Sequence, residues 1–276
     1  MKSYVRNIAI ICAAIIIIAL NACDFKKQFM SNGNEAEIKI QRFDRLEYQY
    51  LTTGEFSALQ QLSINYPIET RTLIEEILHI GRLHNEETNK RFLTFFQDST
   101  LQVLMRDTER QFANMDRLNS DLNEAFHKLR KELPKVPTPT VYSQITALDQ
   151  SIVIKDGSIG ISLDKYLGKD YATYKEFFTS EQRESMTPKM IVPDCILFYI
   201  ISLYPMKDFE QSTQEQKDFH LGKMLWLTNK IVEFRAYDDA PLKAVEEYLK
   251  KHKDITAQEL IEEIEFPSPP QSHHHQ

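Results

Sequence analysis

The side chains best able to bind a metal or attack a substrate are eight histidines and three cysteines in a chain of 276 residues, and their spacing argues against both uses. A catalytic zinc held on a helix needs His at i and i+4 with Glu beside the first, so that two imidazoles reach one ion while the carboxylate activates its water. No His-Glu-x-x-His is present. His79 and His84 are five apart, about 140° around a helix, and so point to different sides. His127 and His220 stand singly in amphipathic stretches and read as boundary-packing side chains. His273-His274-His275 could bind a transition metal, but it lies in a tail bounded by Pro and Ser and is assigned no function.

Other catalytic signatures fail as well. Gly157-Ser158-Ile159-Gly160 has the wrong spacing for a nucleophile elbow, and no Gly-x-x-x-x-Gly-Lys-Ser/Thr loop exists. Asp44, Asp164 and Asp194 could converge into an acidic group, with helix caps or surface charges as the alternative. The expectation from the residues alone is a protein that is not an enzyme, with no metal site and no cofactor.

The cysteines divide by position. Lys2 and Arg6 precede the apolar run Ile8 to Leu20, which is too short for the roughly 20 residues of a membrane-spanning helix but suits the core of a secretory signal. Leu20-Asn21-Ala22-Cys23 follows and resembles a bacterial lipobox, in which the Cys23 thiol is the nucleophile that takes diacylglycerol. Acyl chains at about 0.8 kcal/mol per buried CH₂ would anchor the mature chain to a membrane. Asp24 marks inner-membrane retention in some enteric bacteria, a rule that does not hold for all Gram-negative groups. The expected location is the cell envelope, with the outer membrane favoured over the inner. Cys12 lies in the discarded segment, and Cys195, within Ile191 to Tyr199, reads as a buried structural thiol.

Composition bounds what remains. Lys plus Arg number 33 and Asp plus Glu 40, a net charge of −7 that excludes a phosphate-seeking nucleic-acid binder. Signal cleavage removes Lys2 and Arg6 and no acid, two positive charges fewer, so the mature net charge is −9. With 42% hydrophobic residues the chain can bury a sizeable core.

The positioning elements follow from periodicity. Ile38 and Ile40 alternate with Lys39 and Gln41, as in a strand with one buried face. About four helices are expected from Phe56 to Leu133, the longest spanning Leu101 to Leu133. Pro134, Pro137 and Pro139 end this region, and Val141 to Ala147, Ser151 to Lys155 and Ile159 to Leu163 read as strands around the turn Asp156-Gly157. An apolar helix starting at Pro193 is expected at the domain centre, then a helix carrying Leu221, Met224, Leu225, Thr228 and Ile231 on one face. Thr256-Ala257-Gln258-Glu259 is a capping box before the last helix. The boundaries are a signal peptide at 1–22, a tether at 23–34, one helix-rich α+β domain at 35–266 and a disordered tail at 267–276.

Leu163-Asp164-Lys165-Tyr166-Leu167-Gly168-Lys169-Asp170, preceded by Gly160-Ile161 and followed by Tyr171 and Tyr174, resembles the signature of the gliding-motility lipoprotein GldB family of Bacteroidetes. Arg42-Phe43-Asp44, Ala125-Phe126 with Leu133-Pro134 and Val136-Pro137, Ile191-Val192-Pro193-Asp194 and Gly222-Lys223-Met224-Leu225-Trp226 agree in order. The similarity implies an envelope lipoprotein attached to a motility or type IX secretion apparatus, with proteins of that apparatus as partners. It also implies a small antiparallel sheet and a buried central helix resembling a degenerate zincin-like peptidase scaffold. If Pro193-Asp194 stands where His-Glu would be, Leu197 stands at the second His, so no zinc ligand remains; a hydrolase on that scaffold is the alternative. Asp44, Asp164, Lys165, Tyr166, Gly168 and Asp194 are the candidate partner-binding or architectural residues, with Gly168 expected in a conformation that side chains resist.

Overall fold

The computed structural model describes residues 37–83 and 85–262. Cys12, Cys23, His84, the signal and tether at 1–34 and the tail at 267–276 lie outside the described residues.

Three short strands, β1 (Thr140–Gln144), β2 (Ile152–Lys155) and β3 (Ser158–Ser162), form a sheet in the order β1-β3-β2. β2 and β3 pair antiparallel across Asp156-Gly157, but β1 runs parallel to β3, with Val141 beside Ile159 and Gln144 beside Ser162. The sheet is therefore mixed, which corrects the antiparallel expectation. Alternating side chains could not reveal this, because alternation sets the buried face and not the direction of the neighbouring strand.

Both faces are covered. Val141, Ile152, Ile159 and Ile161 join one apolar cluster, and Tyr142 joins the other with Phe43, Leu51 and Leu62. Helices α1 (Phe43–Thr53), α2 (Phe56–Asn65), α3 (Pro67–Arg71), α4 (Glu86–Phe95) and α5 (Ser99–Gln111) precede α6 (Asp116–Glu132). A π-helical stretch, Thr72–Ile77, extends α3. The described residues from Phe56 to Leu133 thus hold five α-helices where about four were expected.

The long helix expected from Leu101 to Leu133 is two helices. Asn114 interrupts it, its Oδ1 accepting the Asp116 N–H at 2.7 Å in an Asx turn. Phe112 and Met115 are nonetheless both buried, so the apolar spacing survives the break.

Ile38 and Ile40 are buried as their alternation requires, yet the segment makes only a single bridge, Gln41 to Tyr142. Its backbone is bonded elsewhere. Asn123 on α6 both accepts the Ile38 N–H and donates to the Ile38 carbonyl, each at 2.7 Å, and Asn119 accepts the Ile40 N–H at 2.9 Å.

After β3 come a 3₁₀ turn (Leu163–Lys165), α7 (Ala172–Phe177), α8 (Ser180–Glu184) and a second 3₁₀ turn (Pro188–Met190) that runs straight into α9 (Ile191–Leu203). α9 begins two residues before Pro193, because the missing N–H of Pro is harmless in the first turn. It packs on β2 and β3, with Cys195, Ile196, Tyr199 and Ile200 buried. α10 (Gln214–Val232), α11 (Ala240–Lys251) and α12 (Ala257–Glu262) complete the described chain. Leu221 faces outward, and Gly222 is buried in its place where α10 crosses α11. The Thr256–Glu259 box is formed, with Thr256 Oγ1 and Glu259 Oε2 each accepting the other residue's N–H.

Candidate functional site

The carboxylates on α1 point inward because Phe43, Tyr50 and Leu51 turn that face of the helix to the core. Asp44 takes the fork of Arg42, at 2.8 and 2.7 Å, and the Ser143 hydroxyl at 2.5 Å, and so ties the start of α1 to β1. Glu47 lies one turn further on and is fully buried. Its Oε2 accepts the Ile145 N–H at 2.9 Å, while Oε1 has no partner among the described residues. Burial holds the Glu47 carboxyl well above its usual range, reinforced by the nearby charges of Asp164 and Asp44.

Asp164 closes the same region from β3. The loop between β1 and β2 passes through Ala147 at φ 51° and Leu148 at φ 68°, a left-handed path that costs non-glycine residues roughly 1–2 kcal/mol each. Asp164 grips it, accepting the N–H of Thr146 at 3.1 Å and of Leu148 at 2.7 Å, while Lys165 Nζ donates to the Leu148 carbonyl at 3.1 Å. Tyr174 donates to the Asp164 carbonyl and accepts the Leu167 N–H. Burial raises the Asp164 carboxyl to about 6, against the opposing effect of the two amides. Burial also lowers Lys165, whose ammonium lies over the Phe178 ring.

Tyr166 turns to the other core. Its hydroxyl donates to Asp194 Oδ2 at 2.7 Å, and Tyr237 donates to Oδ1 at 2.5 Å. Asp194 is raised by desolvation, partly offset by Tyr237 and Tyr166. Gly168 sits at φ 120°, a conformation L side chains rarely adopt, with no atom within 4 Å of an added Cβ; backbone conformation alone accounts for glycine there.

Asp44 and Asp164 thus come together at the end of β1, joined by Glu47, whereas Asp194 stands apart in a separate tyrosine-bonded site. Asp194 is satisfied by two hydroxyls and not by the amides of a helix start. Glu47 was not singled out from the sequence, although its i+3 spacing from Asp44 within a core-facing helix was a usable signal. Tyr237 carried none, since it lies in a loop 43 residues beyond Asp194. Among the described residues no three His, Cys, Asp or Glu side chains group to hold a metal. A cleft of about 620 Å³ opens where Ile191, Val192 and Pro193 meet Met115, Ala125 and Phe234, and none of the four buried carboxylates lines it.

Three layers of helix, small mixed sheet and helix, with Asp164 spent on backbone amides, Asp194 on tyrosines and Asp44 on Arg42 and Ser143, define a mostly helical α+β protein. The family model for the gliding motility protein GldB matches residues 25–239, and the chain belongs to that family. The match runs past the octamer, the Pro193-Asp194 block and α10 to the loop holding Tyr237. No curated protein and no solved structure matched the chain. Among the described residues no helix is long and apolar enough to cross a membrane.

Proposed function

We propose that this chain is a lipid-anchored protein of the cell envelope that acts by binding, as a non-catalytic accessory of the gliding-motility or type IX secretion apparatus. The family match over residues 25–239 carries the reading. The lipobox ending at Cys23 supports the anchor. The use of Asp44, Asp164 and Asp194 as internal ties supports a scaffold in which these three carboxylates serve the fold. Nothing among the described residues favours the alternative of a hydrolase on a zincin-type scaffold. The outer membrane remains the favoured location, and envelope proteins of the apparatus the favoured partners.

Crosslinking in intact cells, followed by purification of the chain from membranes, should recover envelope components of a motility or secretion apparatus. Recovery of cytoplasmic proteins alone would overturn the reading. Cys23→Ser should release the protein to the soluble fraction or leave an unprocessed precursor; unchanged membrane association and mature size would remove the lipid anchor from the proposal.

A further inference from the structure

The body is acidic overall, yet one open cleft of about 690 Å³ is lined by three arginines, Arg71, Arg82 and Arg91. They come from three separate pieces of chain. Arg71 ends α3 just before the π-helical stretch, Arg82 follows Gly81 in the loop, and Arg91 shares the cleft-facing side of α4 with Asn85 and Thr88. Like charges are not gathered by the hydrophobic effect, and each guanidinium repels the other two unless something neutralises them.

The acids nearby offset this charge only in part. Glu75 is the single carboxylate lining the cleft, and its Oε1 already accepts the Leu83 N–H at 2.8 Å. Arg91 lies 3.7 Å from Glu87, with both side chains more than half exposed, a pair of small energetic value that a better anion can displace. The side chains of Arg71 and Arg82 make no hydrogen bond or ion pair among the described residues. Asn85 Oδ1 caps α4 by accepting the Glu87 N–H at 2.9 Å, which leaves the amide NH₂ of Asn85 as a further donor at the rim.

A lone carboxylate ligand needs one guanidinium fork. Three forks and an amide around one opening suit an anion whose charged oxygens point in several directions, as those of a phosphate do. We propose that this cleft binds a phosphate group, either free or carried by a lipid headgroup. The site is independent of the signature carboxylates, and its failure would leave the proposed function untouched.

The test titrates the full chain in detergent with inorganic phosphate and, separately, with glycerophosphoglycerol, the soluble diester of a phospholipid headgroup. Chloride at matched ionic strength is the control. Binding of at least one probe is expected, weakening as salt rises and falling by about tenfold or more when Arg71, Arg82 and Arg91 are all changed to Gln. Phosphate binding alone identifies a free anion, and diester binding alone identifies a headgroup. All three side chains are exposed, so the variants should melt as the parent does. Each single Arg→Gln variant is titrated too, so that a defect of folding in the triple variant cannot mask the result. Absence of binding to either probe, or binding that the substitutions leave unchanged, would overturn the proposal.

Discussion

Asp164 accepts the Leu148 N–H at 2.7 Å, and Leu148 is held in the left-handed region at φ 68°. This bond makes the octamer a clasp on the loop that lets β1 lie parallel to β3. Burial, against the lowering effect of the two amides and the Lys165 charge, raises Asp164 to about 6 from an ordinary value of 3.8. The folded state therefore binds that proton more tightly than the unfolded chain. Stability from this group is fully present below about pH 4 and is lost as pH rises through about 6. Asp164→Asn should remove a decline of roughly 3 kcal/mol across that interval, read as a flatter melting-temperature profile from pH 4 to 7. Parallel profiles for the two proteins would show that Asp164 does not titrate there.

Glu47 should behave in the same sense. Its folded-state affinity for a proton is raised, so it stabilises at low pH and ceases to do so as pH rises through its folded value. Glu47→Gln keeps an oxygen for the Ile145 N–H and removes the ionisable group. The variant should unfold at higher denaturant at pH 8, by about 1 kcal/mol or more, with the gain shrinking toward pH 5. Equal stability at both pH values would mean that water reaches Oε1.

Tyr166→Phe tests the link from the octamer to α9. The change keeps the buried ring and deletes one of two hydroxyls on Asp194. A cost of about 1–3 kcal/mol in chemical unfolding is expected, because a buried carboxylate loses a donor that it cannot replace. Tyr237→Phe should cost a similar amount. No loss in either variant would show that Asp194 finds water instead.

Gly222→Ala should be severely destabilising. A Cβ there would stand 2.2 Å from the Pro241 carbonyl oxygen, a backbone atom, so α10 and α11 must separate to admit it. Overpacking of this kind costs about 1–3 kcal/mol or more, measurable as a lower melting temperature with the helical circular-dichroism signal retained at low temperature. An unchanged melting temperature would mean that the helix crossing is looser than described.

Repeating patterns along the chain determined a good deal of this protein. Spacing in α6 and α10 placed helices because a buried stripe must recur every 3.6 residues, an apolar run placed α9, and alternation placed Ile38 and Ile40 inward. The octamer identified the family because its residue types are unusual as a set. Periodicity reports which face is buried and carries no information about what lies across from it. The parallel pairing of β1 with β3, the meeting of Glu47 with Ile145 at a separation of 98 residues, the reach of Tyr237 to Asp194 across 43, and the gathering of Arg71, Arg82 and Arg91 were decided only by tertiary structure. Each depends on where the chain travels between the partners, and that path is set by the packing of the two cores against the sheet, not by any local signal.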